Sequence, residues 1–272
     1  MPTSDALRDY YSHHYRSDYK SAYTPKPKHV FRAGVAAAER VSFLQDFFAS
    51  RGVEIESMRL LDVGAGGGEV VYAAQKAGFV SCGIEPNIGY SEFARDQYGV
   101  TVETGQLDSS KFDRFDVITL FHVLEHVPEP VTFLQKLHEH LQPNGHLLIE
   151  VPNIEQADAS PHNIYFRAHL LYFSVATLLS LASPGFSSVQ ISSLGNLRVL
   201  FQRKHEWGEM KLPSPADVQH TEERLKQKGW LEYLFSGGGL WKPFKRIDKY
   251  WTEQRNIQRN PRDTLDRALS IR

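Results

Sequence analysis

A chain of 272 residues with 41% hydrophobic, 12% aromatic and 23% charged residues can bury a full domain core, which excludes a disordered tail and a disulfide-stapled miniprotein. Lys plus Arg at 31 against Asp plus Glu at 32 gives a formal net charge of -1, so the molecule as a whole lacks the positive field on which a general nucleic-acid binder relies. Cys82 is the one cysteine and MPTSDALRDYYSHHY has no apolar run to act as a secretory signal, so a reducing cytoplasm is expected, and no stretch reaches the roughly 20 apolar residues of a membrane span.

Residues 1–29 are polar and tyrosine-rich and end in Pro-Lys-Pro-Lys, which is expected to interrupt regular structure; they read as an arm ahead of the main domain. From Val30 to Ser50, Val35, Phe43, Leu44, Phe47 and Phe48 recur at helical spacing, with Gly52 as the stop. After Arg59 the period changes. RLLDVGA, FVSCGIEP, VTVETG, FDVITLFHV and GHLLIEVPN are short apolar runs rich in β-branched residues, each read as a buried strand. Between them EVVYAAQKAG, IGYSEFARDQYG and PVTFLQKLHEHLQ read as helices, closed by Gly78, by Gly99 and by Pro143 to Gly145. This alternation predicts right-handed βαβ crossovers and a doubly wound α/β fold with a mostly parallel sheet. SVATLLSLA adds a helix. SSVQISSL and LRVLFQRK flank Gly195-Asn196, a dipeptide suited to a two-residue turn, so the sheet of seven strands is expected to end in an antiparallel hairpin. The main domain is placed at 30–204. Residues 205–272, with the charged helix TEERLKQKGWLEYLF, a flexible SGGGL and a helical tail, are assigned to substrate or oligomer contacts.

LLDVGAGGGEVVYAA puts Asp62, Gly64, Gly66 and Gly68 where the first strand meets its helix. Glycine there permits a tight turn and lets ligand atoms approach the backbone, while the helix amino end offers N–H groups that lack intrahelical acceptors. A dinucleotide fingerprint needs its third glycine where this chain has Glu69, a carboxylate that would repel a pyrophosphate, so nicotinamide and flavin cofactors are disfavoured. A glycine-rich turn alone has a plain structural reading. Here Glu85 follows about 20 residues later, where an acidic ribose ligand is expected.

The spacing Asp-x-Gly-x-Gly-x-Gly, with an acid closing the second strand in GIEPN, resembles the class I S-adenosylmethionine-dependent methyltransferases from about Arg59 to Lys204. The resemblance implies a Rossmann-like methyltransferase fold, with S-adenosylmethionine as cofactor and S-adenosylhomocysteine as product. Gly64, Ala65, Gly66 and Gly68 would line the methionine and ribose portion; Glu85, with Pro86 beside it, would take the ribose hydroxyls; Asp62 would orient the loop or, through water, the methionine ammonium. A carboxylate offers two acceptor oxygens to a vicinal diol, and a cationic sulfonium needs no phosphate cradle. Gln106 and Leu107, followed by Asp108, fall in the segment that flanks the adenine in this family, and Phe121 and His122 complete the implied cofactor set.

The fourth strand runs into FHVLEHVPEP, and open α/β sheets bind ligands at the carboxyl ends of their strands, which puts His122, Glu125 and His126 at the crevice. His-x-x-Glu-His also matches an inverted zinc-peptidase pattern, but that pattern needs both histidines on one helix face, and this one leaves a strand and stops at Val127-Pro128. The segment looks like that of a methyltransferase subgroup with Leu-Glu-His after this strand, which includes O-methyltransferases acting on quinone precursors. Some relatives bind a divalent cation through an acidic version of the segment; His122 replaces the first acid, so no metal is expected. His126 is the candidate general base, because imidazole with an ordinary pKa near 6.5 can accept a hydroxyl proton at neutral pH, and Glu125 is its candidate catalytic partner. In the alternative reading the two residues cap the loop and shape the pocket.

Substrate contacts are sought in the loop after the fifth strand, at Asn153, His162, Tyr165 and His169. The last resembles a histidine that the subgroup carries shortly before Phe-Ser, here Phe173-Ser174, and Ser174 fits the N-cap of the next helix. Tyr11 and Tyr15 are candidates for a lid, since family members often close the cofactor site with an amino-terminal helix. The tail from Lys242 holds nine Lys/Arg against four Asp/Glu, with Trp241, Phe244, Ile247, Tyr250 and Trp251 at helical spacing. It reads first as a helix that packs its aromatic face on the domain or on a homodimer partner, and second as an anion-recognising element. Nucleic acid is not expected, because no dedicated RNA-binding domain is present and LFHVLEH stands where adenine-methylating relatives carry Asn/Asp-Pro-Pro-Tyr. The expected function is methyl transfer from S-adenosylmethionine to a small-molecule or glycan acceptor, at a hydroxyl. The alternative is a cofactor-binding but inactive subunit or scaffold.

Overall fold

All seven expected strands are present in the computed structural model, which describes residues 24–107, 113–158, 160, 165–166, 168–193 and 195–271. They are β1 (Arg59–Val63), β2 (Val80–Glu85), β3 (Val102–Thr104), β4 (Phe115–Phe121), β5 (Leu141–Val151), β6 (Phe186–Ser192) and β7 (Leu197–Arg203), and the sheet order is β3-β2-β1-β4-β5-β7-β6. The pairs β1–β2, β2–β3 and β4–β5 are parallel, while β7 is antiparallel to both β5 and β6. Leu60, Leu61, Ile118, Leu120, Leu147 and Leu148 are fully buried, which is why their strands read as unbroken apolar runs. The α-helices are α1 (Pro27–Ala49), α2 (Glu69–Ala77), α3 (Ile88–Phe93), α4 (Pro130–His140), α5 (Val175–Ala182), α6 (Pro215–Gln227), α7 (Trp230–Phe235), α8 (Lys242–Asn256) and α9 (Pro261–Ser270). Two compact units result, one of residues up to Asp108 together with Tyr250–Arg272, the other Ser109–Lys249.

In the first unit the Pro-Lys-Pro-Lys sequence starts a helix instead of interrupting one, since α1 opens at Pro27. Proline is tolerated there because the N–H it lacks would have no intrahelical acceptor. Val30, Val71, Tyr72, Tyr98 and Leu265 share one buried cluster, and full burial of Leu265 contributes about 2 kcal/mol. Gly34 lies where α1 meets α9: a Cβ there would stand 2.7 Å from Ala268 Cβ and 2.8 Å from Leu265 Cδ1. Arg32 fastens the same region with two bonds to the buried Glu253 carboxylate, from Nε at 2.5 Å and Nη2 at 2.9 Å. The last helix is therefore part of this unit's core. Asn87 caps α3 by accepting the Tyr90 N–H at 3.1 Å, and the helix runs on as a π turn, Ala94–Tyr98, which the sequence did not signal.

In the second unit Pro143 to Gly145 lie inside β5 and do not follow a helix as its stop. Leu141 already pairs with Phe115, the register slips, and pairing resumes at Val117 with His146, Asn144 absorbing the irregularity at φ 63°. The hairpin is longer than the expected two-residue turn: β6 ends at Ser192 and β7 begins at Leu197, and the Asn196 side chain is bonded to His122 and Glu150. Ser174 does cap α5, in a reciprocal capping box with Thr177. TEERLKQKGWLEYLF is two helices, since Lys228-Gly229 separate α6 from α7 with Gly229 extended, and the end of SGGGL with the following Trp241 forms a 3-10 turn, Gly239–Trp241.

His138 gives the fold a pH dependence. It is buried against Phe186 and Trp207, with Nε2 donating to the Lys204 carbonyl at 2.9 Å. Burial pushes its pKa below the ordinary histidine value, the carbonyl acting in the opposite direction. The unfolded chain then holds the proton more tightly than the folded one, so stability is lost as pH falls below about 6.5. Thermal melts across that range should show a lower Tm on the acid side, and His138→Gln should flatten the difference.

Candidate functional site

The first unit carries the glycine loop. Gly64 and Ala65 N–H both donate to the Ile84 carbonyl at 2.9 Å, tying the exit of β1 to β2. Gly64, Gly66 and Gly68 adopt φ of 78°, 56° and 83°, a region that a Cβ disfavours. At Gly68 a Cβ would also stand 2.7 Å from Ala94 Cβ, so this glycine is required by packing of the α2 start against the π turn. Glu85, only 3% exposed, accepts the Gly66 N–H on Oε2 at 2.8 Å and the Asn87 N–H on Oε1 at 3.0 Å. One carboxylate thus fixes the loop. An ionised carboxylate has about four lone-pair sites, which leaves acceptor capacity for a diol. Asp62 and Ala65 are buried, Pro86 and Leu107 half-buried, and Gln106 exposed. Glu69 is buried in the first turn of α2 with its carboxyl group against Gly67, at the place where a dinucleotide protein would bind pyrophosphate.

In the second unit β4 ends at Phe121, a strand residue with little exposure, and His122 turns into the left-handed region at φ 56°. That conformation is costly for a residue with a Cβ and marks functional sites. The ring lies between two buried carboxylates, Nδ1 at 3.2 Å from Glu125 Oε1 and Nε2 at 3.3 Å from Glu150 Oε1. Asn196 Nδ2 lies 3.1 Å from His122 Nε2 and donates to Glu150 Oε1 at 3.3 Å, and His122 Nδ1 shares a hydrogen bond with Glu125 Oε1. Arg198, the cross-strand partner of Glu150, neutralises its other oxygen from Nε at 2.7 Å and Nη2 at 2.6 Å.

Leu124–His126 form a 3-10 turn. His126 Nδ1 donates to the Ala168 carbonyl at 2.9 Å; because a carbonyl only accepts, the neutral ring keeps its lone pair on Nε2. Leu170 and Leu171 N–H donate back to the Glu125 carbonyl at 2.9 and 3.1 Å. These bonds fold the loop onto the turn and bring in His169, edge-on to His126 with centroids 5.0 Å apart, beside Phe166 and Tyr172. Its Nε2 is 4.0 Å from Glu125 Oε1. Burial lowers the His169 pKa, with Glu125 opposing. Glu125 is 1% exposed and its Oε2 is buried without a hydrogen-bond donor. One ligand atom each from Glu125, His126 and His169 lie within 4.8 Å of one another, a carboxylate and two imidazoles that suit a divalent transition metal.

Of the substrate candidates, His169 joins this cluster. Asn153 uses its Oδ1 to accept the Glu155 N–H at 3.0 Å, and Tyr165, 65% exposed, lies edge-on to Tyr172. Tyr11, Tyr15 and His162 lie outside the described residues. The loop after β5 is also strapped from α6 to α8: Thr221 Oγ1 donates to Glu155 Oε1 at 2.7 Å, Arg224 Nη2 to the Glu155 carbonyl at 3.1 Å, and Lys228 and Lys242 to the Gln156 and Asp158 carbonyls. Sequence reasoning missed Glu150, although an acid inside the apolar run LLIEV was a signal. It also missed Asn196, hidden in a turn dipeptide, and the Ala168 carbonyl, a backbone group with no side-chain signal.

A doubly wound sheet with a glycine turn latched to an acid on β2 defines a Rossmann-like fold. Residues 32–190 match the family model described as a methyltransferase domain, and the chain belongs to that family. It is 34% identical over 107 residues to the ubiquinone biosynthesis O-methyltransferase of Histophilus somni (strain 2336), covering 35% of this chain and 45% of the relative. Against the enzyme of that name from Paramagnetospirillum magneticum (strain ATCC 700264 / AMB-1) it is 32% identical over 130 residues, 44% of this chain and 51% of the relative. The chain thus spans about half the length of the curated relatives it matches. Its fold is similar to that of magnesium protoporphyrin IX methyltransferase from Synechocystis PCC 6803 with bound SAH, at TM-score 0.54 and 14% identity, covering 74% of this chain and 100% of that one. Among the described residues no helix is long and apolar enough to cross a membrane.

Proposed function

We propose that this chain is an S-adenosylmethionine-dependent methyltransferase acting on a small-molecule hydroxyl in the cytoplasm; the expected division into an arm at 1–29, a catalytic domain at 30–204 and a helical extension at 205–272 is corrected by α1, which opens at Pro27, and by α9, whose Leu265 is part of the first unit's core. The observation that carries the reading is the glycine loop held by the Glu85 carboxylate through Gly66 N–H, next to a buried Glu69 that disfavours a pyrophosphate ligand. The names of the relatives favour transfer to oxygen and an acceptor of the ubiquinone-precursor kind over a glycan.

When bound, S-adenosylmethionine supplies its sulfonium methyl group, the carbon–sulfur bond breaking as the bond to the acceptor oxygen forms. Glu85 would hold the ribose hydroxyls, and Asp62, buried near the end of β1, would orient the loop. The Ala168 carbonyl keeps His126 Nδ1 protonated, so that Nε2 takes the hydroxyl proton and the imidazolium retains its bond to Ala168. Glu125, oriented by His122, favours that positive charge from the same turn. The test is incubation with methyl-labelled S-adenosylmethionine and a panel of phenols and catechols. Label in extractable product supports the enzyme; saturable binding with no transfer supports the inactive subunit.

A second reading is favoured by the Glu125, His126 and His169 donor set, whose buried Glu125 Oε2 has acceptor capacity to offer a cation. A divalent metal held by these residues would polarise the acceptor oxygen and replace His126 as the means of lowering the hydroxyl pKa. Dialysis against EDTA separates the two: activity that survives supports the base, and activity lost and restored by added divalent metal supports the ion. Arg224 offers a further check. Arg224→Ala removes one strap from the loop after β5 and should raise the acceptor KM several-fold while kcat changes little, as steady-state kinetics would show.

A further inference from the structure

We propose that α8, with the 3-10 turn that precedes it, is a membrane-surface anchor: a basic amphipathic helix that lies in the headgroup layer of a bilayer rich in anionic phospholipid. This helix lies outside residues 32–190, so the family match says nothing of it. Leu240, Trp241, Phe244, Ile247, Tyr250 and Trp251 are 50–65% exposed, contrary to the expectation that the aromatic face packs on the domain. Positions 240, 244, 247 and 251 follow the i, i+4, i+7, i+11 pattern of one helical stripe. Lys242, Lys245, Arg246 and Lys249 fall on the opposite face, and Asp248 is the one acid between 240 and 252.

An exposed apolar stripe of this size marks an interaction surface. Its composition selects the occupant. Two tryptophans and a tyrosine combine an apolar ring with a polar edge, the chemistry suited to the boundary between acyl chains and headgroups, whereas a buried helix pair is better served by Leu and Ile. Three exposed cations, Lys245, Arg246 and Lys249, against one acid complement an anionic lipid surface, but give nothing to a second copy that carries the same charge, while Lys242 is engaged with the Asp158 carbonyl. No helix among the described residues can span a bilayer, so the association is peripheral.

The full chain should co-sediment with vesicles of phosphatidylglycerol and phosphatidylcholine, show a blue-shifted tryptophan emission, and be released by raised salt. Vesicles of phosphatidylcholine alone should retain far less. Lys245→Glu with Arg246→Glu should cut binding by about tenfold or more, and Trp241→Ser with Phe244→Ser should abolish the emission shift. All four side chains are exposed, and circular dichroism checks that both variants keep the fold. Failure to pellet, equal binding to neutral vesicles, or no loss in either variant overturns the proposal. A dimer in light scattering that Trp241→Ser with Phe244→Ser converts to monomer would assign the face to a second copy instead.

Discussion

Glu85→Ala is expected to weaken S-adenosylmethionine binding by at least about 100-fold, because hydrogen bonds to a charged group contribute about 1.5–3 kcal/mol each and the ribose diol would lose two of them. The loop suffers as well. Gly66 and Asn87 N–H lose their common acceptor, and each buried donor left without a partner costs about 1–3 kcal/mol, so Tm should fall too. Glu85→Gln keeps one acceptor oxygen and should retain part of the affinity. Equilibrium dialysis with labelled cofactor measures the effect, and wild-type affinity in the alanine variant would remove Glu85 from the ribose.

At His126 the expected result is kinetic. His126→Asn should lower kcat by roughly 10²- to 10⁴-fold, the usual contribution of a positioned general base, while cofactor affinity stays near wild type. The lower end applies if the acceptor is a phenol, whose pKa near 10 demands less assistance. The Ala168 carbonyl directs the lone pair to Nε2, so the acid limb of the wild-type pH–rate profile should report this ring and vanish in the variant. Unchanged turnover across pH would assign His126 to shaping the pocket.

The parts of this molecule legible from sequence were those written in local chemistry. Strands β1, β4 and β5 announced themselves because burial on both faces demands continuous apolar runs, and the loop because left-handed backbone at Gly64, Gly66 and Gly68 demands glycine. Ser174 was readable because a cap is a local bond. Illegible features depended on distant partners. The slip that takes Pro143 into β5 is set by Phe115 across the sheet, the position of His169 by bonds between Leu170, Leu171 and Glu125, and the environment of His122 by Glu150, Asn196 and Arg198 from two other strands and their turn. Pro27 misled because proline is read as a breaker unless its place in the first turn is already known.

Isothermal titration of the purified full chain, with S-adenosylhomocysteine in one series and NAD in the other, tests most directly the proposal that the glycine loop binds the adenosyl cofactor. Saturable heat at one S-adenosylhomocysteine per chain and none from NAD is the predicted outcome. Saturation by NAD with no response to S-adenosylhomocysteine would contradict it.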